Sequence, residues 1–360
     1  MAKLRILVVE DSLTVRRHLC EVVSGDPDLE LVGEADEGNQ AIAMVERLRP
    51  DVITLDMVLP GRNGLEITEH VMAYCPTPIL IVSSSINRGD LFKTYDALAA
   101  GAVEVMEKGC GAENPKEWDR RFLATVKLVA RIKVITHLRL KLARLGMAAA
   151  PSSAVAPPLP HPTATSLVAM GGSTGAPSAV AQILRQLPAD FPLPILLVIH
   201  IGGPLGGAFA DWLGTHSRIP ARYPTDGEPQ PRWGTPLLLV APPDRHMVLR
   251  EGRVHLTADP PRHSCRPSVD VLFESVANEV GAQAVACLLT GMGKDGADGL
   301  QAVRRAGGLT VAQDEATSVV FGMPREAILR GSAERVLALS AIAPLLVGLA
   351  DQSHSARRRA

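Results

Sequence analysis

The chain has 360 residues, 46% of them hydrophobic, and a formal net charge of −1; it is long enough for two buried cores. Its balanced charge advertises neither a polyanion nor an acidic membrane surface, which disfavours nucleic acid as a partner. The five cysteines, Cys20, Cys75, Cys110, Cys265 and Cys287, are scattered and show no C-x-x-C spacing, so they read as reduced thiols of a cytoplasmic protein, with neither a disulfide framework nor a zinc site.

The N-terminal stretch MAKLRILVVEDS holds only a short apolar run broken by acids, unlike a signal peptide. No apolar segment approaches the roughly 18 residues that span a bilayer, so no membrane insertion is expected. Residues 1–110 alternate the runs RILVV, LELVGEA, DVITLD, PILIVSS and AVEVMEK with helical patterns, predicting a five-stranded parallel sheet with helices on both faces. Glu10 and Asp11 end the first run and Asp56 ends the third, so the three carboxylates can meet at one sheet edge. Such a hard oxygen site suits Mg²⁺, which neutralises a phosphoryl group as Asp56 attacks it. Lys108 ends the fifth run and can hold a phosphoryl oxygen, and the Ser83 hydroxyl, in the fourth, can swing toward it. A single acid at a strand end is ordinarily just solvated; four positions in order, each after its own strand, speak for function.

With VVEDS, TLDMVLPGRNGLE, IVSSS and MEKG at matching places, residues 1–110 resemble the receiver domain of two-component response regulators. The resemblance implies a flavodoxin-like domain over residues 1–120, Asp56 as phospho-acceptor, and Glu10, Asp11, Asp56 and the Met57 carbonyl around Mg²⁺. It also implies a chemotaxis-type histidine kinase as phosphodonor. Receivers place proline after the lysine where this chain has Gly109, which predicts a looser turn under Lys108.

From about Asp119 to Leu145 aliphatic and basic residues mix with a helical period, read as a helix with a solvated basic face rather than one that binds a membrane. Residues 146–166, GMAAAPSSAVAPPLPHPTATS, lose all period and read as a linker, so residues 121–166 connect two domains. Strand–helix alternation resumes at Leu167 and runs to Leu349, predicting a doubly wound, mainly parallel α/β domain; the tail 350–360, ADQSHSARRRA, is expected to be disordered.

Three apolar runs of that second domain end on chemically useful residues: SLVAMGGST at Ser173, LPILLVIH at His200, and AVACLLTGMGKDG carrying Asp295. If each is a buried parallel strand, its carboxyl end opens onto the crevice where α/β folds act. A serine, a histidine and an aspartate then converge as nucleophilic acyl transfer requires. By itself GGSTG fits an oxyanion hole and a phosphate cradle equally. An isolated histidine is more often a core residue bonded to a carbonyl. His246, in APPDRHMVL, competes as the base, but His200 alone ends a strand on the edge shared with Ser173. Asp298 reads instead as a solvated acid at a helix start.

Residues 167–349 resemble the catalytic domain of the chemotaxis protein-glutamate methylesterases, the CheB family, through GGSTG, His200, APPDRHM, RPSVDVLFESVA and LLTGMGKDGADG. The resemblance implies Ser173 as nucleophile, His200 as base and Asp295 as its orienter. Thr174 and Met292 would line the site, with the Met292 N–H in the oxyanion hole. It further implies hydrolysis of glutamyl methyl esters on the cytoplasmic helices of methyl-accepting chemotaxis receptors, deamidation of receptor glutamines, and no cofactor for the ester chemistry. The receiver would cover the triad at rest and uncover it on phosphorylation. Two departures, Ala176 for a glycine and Ile199-His200-Ile201-Gly202-Gly203 around the histidine, alter the substrate rim. A DNA-binding output would need a helix-turn-helix or a basic surface, which residues 167–349 lack; a scaffold without turnover would not need the triad.

Overall fold

A computed structural model describes residues 2–84, 88–109, 114–132, 134, 164–201 and 203–358. They belong to two compact units, residues 1–152 and 153–360.

In the first unit the strands are β1 (Leu4–Val9), β2 (Leu29–Ala35), β3 (Val52–Leu55), β4 (Ile79–Ser83) and β5 (Glu104–Glu107). They form one parallel sheet in the order β2-β1-β3-β4-β5. Between and after them run α1 (Leu13–Ser24), α2 (Gly38–Leu48), α3 (Gly64–Tyr74), α4 (Arg88–Ala100) and α5 (Pro115–Val129). Every residue of β3 and β4 is buried, which is why these strands read as unbroken apolar runs rather than alternating ones. Asn63 starts α3 with a capping box: its side chain accepts from the Glu66 N–H while Glu66 accepts from the Asn63 N–H, satisfying two otherwise orphaned donors. That fixes the loop after Asp56, where the Met57 carbonyl accepts from the Gly64 N–H at 3.1 Å.

The second unit carries a seven-stranded parallel sheet in the order β15-β14-β13-β6-β7-β10-β8. Its strands are β6 (Leu167–Gly172), β7 (Ile195–Ile199), β8 (Ala221–Arg222), β10 (Leu238–Val240), β13 (Ala284–Leu288), β14 (Leu309–Gln313) and β15 (Arg335–Leu337). A small antiparallel sheet joins β9 (Glu228–Pro229), β11 (His246–Arg250) and β12 (Arg253–Thr257). The helices are α6 (Ala176–Gln186), α7 (Phe209–His216), α8 (Val269–Glu279), α9 (Ala297–Arg305), α10 (Met323–Leu329) and α11 (Leu339–Arg357). Leu167, Ala169, Leu196, Val198, Val269, Phe273 and Leu288 form part of one buried cluster, so α8 is packed onto the central strands.

Two sequence expectations meet the structure differently. The helix expected over 119–145 is α5 as far as Val129, and residues 135–163, including most of the expected linker, lie outside the described residues. The tail expected to be disordered is helical through Arg357. Ser353 is buried, its hydroxyl accepts from the Thr165 N–H at 2.8 Å, and the Arg357 guanidinium lies 4.9 Å from the centre of the Trp233 ring. These anchors are polar, so an apolar period could not reveal them. Among the described residues no helix is long and apolar enough to cross a membrane.

Candidate active site and phosphoryl switch

The acids of the first unit converge as expected: Glu10, Asp11 and Asp56 each bring a carboxylate oxygen within 4.8 Å of the others. Glu10 and Asp56 are buried and Asp11 is exposed. The Lys108 ammonium lies 2.7 Å from a Glu10 oxygen and 2.9 Å from an Asp56 oxygen. Burial pushes both carboxyls up, and Lys108 works against that push. For Lys108 burial alone would lower the pKa, but its bonds to Glu10 and Asp56 outweigh it and raise it. The three carboxylates fit a hard dication.

Ser83 is buried at the end of β4, and its carbonyl accepts from the Lys108 N–H at 3.0 Å. Trp118 lies against the residues that flank Lys108. A Cβ on Gly109 would stand 3.2 Å from the Trp118 ring, and the Trp118 Nε1–H donates to the Glu107 carbonyl at 2.9 Å. Glycine therefore admits an indole that holds the residues on either side of Lys108.

In the second unit the order β13-β6-β7 puts the ends carrying Asp295, Ser173 and His200 on three adjacent strands. Gly172 pairs with Ile199 and Leu288 pairs with Gly171. The His200 N–H donates to the Gly172 carbonyl at 3.2 Å, and the Ser173 N–H donates to that of Thr290 at 3.0 Å. Gly291 is where the third strand end closes on the serine, since a Cβ there would lie 2.8 Å from the Ser173 Cβ.

His200 Nε2 lies 2.8 Å from Asp295 Oδ2. The Asp295 carboxyl, 2% exposed, also accepts from the Ser268 hydroxyl at 2.7 Å. It accepts further from the Val269 N–H at 2.7 Å and the Asp270 N–H at 3.1 Å. Those amides open α8, so the acid is also the anion at that helix's N-terminus. Burial alone would raise its pKa, yet His200, Ser268 and Val269 hold it down, at about 2. Burial likewise opposes the charge on His200, but Asp295 and then Cys265 raise it to about 9. An ionised Asp295 can only accept, so Nε2 carries a proton and Nδ1 is the nitrogen left for base chemistry.

The remaining sequence candidates sort clearly. No hydrogen bond joins the Ser173 hydroxyl to His200; the Cys265 sulfur lies 3.7 Å from Nδ1. Thr174 is buried and its carbonyl accepts from the Thr290 hydroxyl at 3.0 Å. Met292 follows Gly291 and is 53% exposed. His246 is 1% exposed; its Nδ1 accepts from the Ser268 N–H at 3.2 Å and its Nε2 faces the Pro260 carbonyl at 3.3 Å. Both nitrogens are engaged, as in a structural histidine. Asp298 lies in the first turn of α9 and pairs with Arg330. Sequence reasoning missed Ser268 and Cys265. The first carries a legible signal, a serine opening an apolar helix, and the second carries none.

Comparison with known proteins gives the family. Residues 168–346 match the family model "CheB methylesterase" and residues 6–117 match "Response regulator receiver domain". The chain is 40% identical to protein-glutamate methylesterase/protein-glutamine glutaminase 2 of Anaeromyxobacter dehalogenans, over 94% of this chain and 95% of that one. It is 40% identical to protein-glutamate methylesterase/protein-glutamine glutaminase 4 of Myxococcus xanthus, over 95% and 96%. It is also 40% identical to the protein-glutamate methylesterase/protein-glutamine glutaminase of Nitrosospira multiformis, over 96% and 97%. With a receiver at one end and the Ser173, His200 and Asp295 strand ends in the other unit, the chain belongs to the CheB methylesterase family of response regulators.

Proposed function

We propose that this chain is a phosphorylation-controlled protein-glutamate methylesterase that hydrolyses glutamyl methyl esters on the cytoplasmic helices of methyl-accepting chemotaxis receptors, and that it deamidates receptor glutamines at the same site. Both substrates are γ-acyl groups, so one serine forms the same glutamyl-enzyme with methanol or ammonia leaving. In this reading Ser173 attacks the γ-carbonyl and His200 takes its proton on Nδ1. Asp295 holds the opposite ring proton and stabilises the imidazolium. The Met292 N–H serves the oxyanion, and Thr174 and the Met292 side chain border the acyl group. His200 then returns the proton to the leaving methanol and repeats the cycle with water.

The observation that carries this reading is the 2.8 Å bond from His200 to a fully hydrogen-bonded Asp295, at the end of the strand beside the one ending in Ser173. The switch is assigned to Asp56 as phospho-acceptor from a histidine kinase. Glu10, Asp11, Asp56 and the Met57 carbonyl hold Mg²⁺, Lys108 takes a phosphoryl oxygen, and Ser83 senses the group. When bound, Mg²⁺ supplies positive charge against the phosphoryl oxygens. Phosphorylation relieves inhibition by the receiver through a shift of population. The test is methanol release from a methylated receptor fragment with and without a small phosphodonor. Activity in wild type that vanishes in Ser173→Ala, and stimulation that vanishes in Asp56→Asn, is expected; turnover persisting in an esterase-free Ser173→Ala preparation refutes the assignment.

A further inference from the structure

Cys265 sits at the end of a tight turn over residues 262–265. Arg262 and Cys265 bond each other's backbone in both directions, at 3.1 and 2.8 Å, and His263 and Ser264 between them have φ of 51° and 62°. Two successive positive φ values closed by such a pair form a rigid turn, so the thiol is presented in a set direction. Its sulfur lies 3.7 Å from His200 Nδ1 and 3.4 Å from the His263 carbonyl. The residue is partly accessible.

We propose that Cys265 Sγ and His200 Nδ1 form a binding site for a borderline-soft divalent cation, Zn²⁺, whose occupation blocks the esterase site. Thiolate sulfur and imidazole nitrogen are the donors zinc prefers. A tetrahedral zinc with Zn–S of about 2.3 Å and Zn–N of about 2.0 Å holds those donors about 3.5 Å apart, close to the spacing already present. The outer shell is also built. A metal-bound imidazole is usually held by a carboxylate on its other nitrogen, and Nε2 bonds Asp295 Oδ2 at 2.8 Å. With four donors already on its two oxygens, Asp295 stays a second-layer partner and water fills the remaining positions on the metal.

Coordination needs the Nδ1 lone pair and a thiolate, so it releases to solvent the thiol proton and, where the imidazole is charged, the Nδ1 proton too, and affinity rises with pH. Binding stands on the Cys265–His200 geometry; inhibition rests in addition on His200 being the base. The scattered cysteines gave no zinc spacing in the sequence because the two donors lie 65 residues apart and meet only through the fold.

The test uses the metal-free full-length chain in excess Mg²⁺, so that the oxygen site of the receiver is saturated. Zn²⁺ is titrated against a chromophoric chelator, and Co²⁺ is added separately to look for thiolate-to-cobalt charge-transfer absorption. Wild type and Ser173→Ala are expected to bind one equivalent with the cobalt–thiolate band. Cys265→Ser and Cys265→Ala should lose more affinity than the roughly 10–100-fold that removal of an outer partner costs, together with the band, and their methanol release should resist zinc. Equal zinc affinity in wild type and both Cys265 variants overturns the site. Tight binding lost with Cys265 but without loss of esterase activity on zinc addition keeps the site and refutes His200 as the base.

Discussion

Replacing Asp295 tests the catalytic geometry and the packing at once. In Asp295→Ala the Val269 and Asp270 amides lose their acceptor inside a site where the carboxylate is 2% exposed. Each unsatisfied buried donor costs about 1–3 kcal/mol, and an abandoned buried ion-pair partner costs about 3–5 kcal/mol. Together these costs come to at least about 5 kcal/mol, enough to threaten folding. Asp295→Asn is the sharper probe. Its oxygen can keep the Ser268 and Asp270 donors, while its NH₂ turns toward His200 Nε2 and meets the Val269 N–H, for a loss of about 2 kcal/mol. That NH₂ makes Nε2 an acceptor and moves the ring proton to Nδ1, so the imidazole can no longer take the serine proton. A fall of about 10⁴ in kcat is expected, as when another triad acid is so replaced. Urea unfolding by circular dichroism and methanol release read the two effects separately. Turnover above about a tenth of wild type in Asp295→Asn, with unfolding unchanged, refutes the assigned roles.

Ser173→Ala should leave the unfolding curve nearly untouched and remove at least three orders of magnitude in kcat, about the loss expected when a triad nucleophile goes. His246→Gln should cost about 1–3 kcal/mol of stability, because its two ring nitrogens serve Ser268 and Pro260, while kcat in the folded fraction stays within about tenfold of wild type; an inactive but stable variant would reverse the assignment of the base. Since His200 titrates near 9 instead of 6.5 and must be neutral on Nδ1 to act, kcat/KM of the free enzyme should climb with pH along a limb near 9. The sign for stability is opposite: a raised folded pKa contributes stability fully present below 6.5 and lost as pH rises through about 9, to be read from unfolding midpoints across that range. Lys108→Ala should abolish stimulation by phosphodonor without lowering the basal rate, and stimulation that survives would remove the lysine from the switch.

Much of this was legible because buried parallel strands advertise themselves. β3 and β4 are wholly apolar apart from Thr54 and Ser83, so their ends were easy to find, and with them Asp56 and the placement of Ser83. The same logic found Ser173 and His200, whose strands β6 and β7 are buried throughout. Contacts made by turns were not legible. The Ser268 hydroxyl reaches a carboxylate 27 residues away, and Cys265 reaches His200 only because a short turn folds back. Nor did composition foretell the helical end of the chain, where Ser353 and Arg357 are fixed by a backbone amide and an indole. The exchange of proline for Gly109 was visible, but its partner, Trp118, stood nine residues further on with nothing to connect them.

That exchange gives the receiver an optical property of its own. Trp118 is one of three tryptophans in the chain, the others being Trp212 and Trp233 in the second unit, so the receiver has a single indole. Its ring stacks on Phe122 with centroids 5.2 Å apart, while its N–H reports on the Glu107 carbonyl and its face on Gly109. The emission of this fluorophore is tied to the two peptide units that flank Lys108. In a Trp212→Phe, Trp233→Phe background, where Trp118 is the only indole, a shift of the backbone at Lys108 would disturb both contacts together and change its emission.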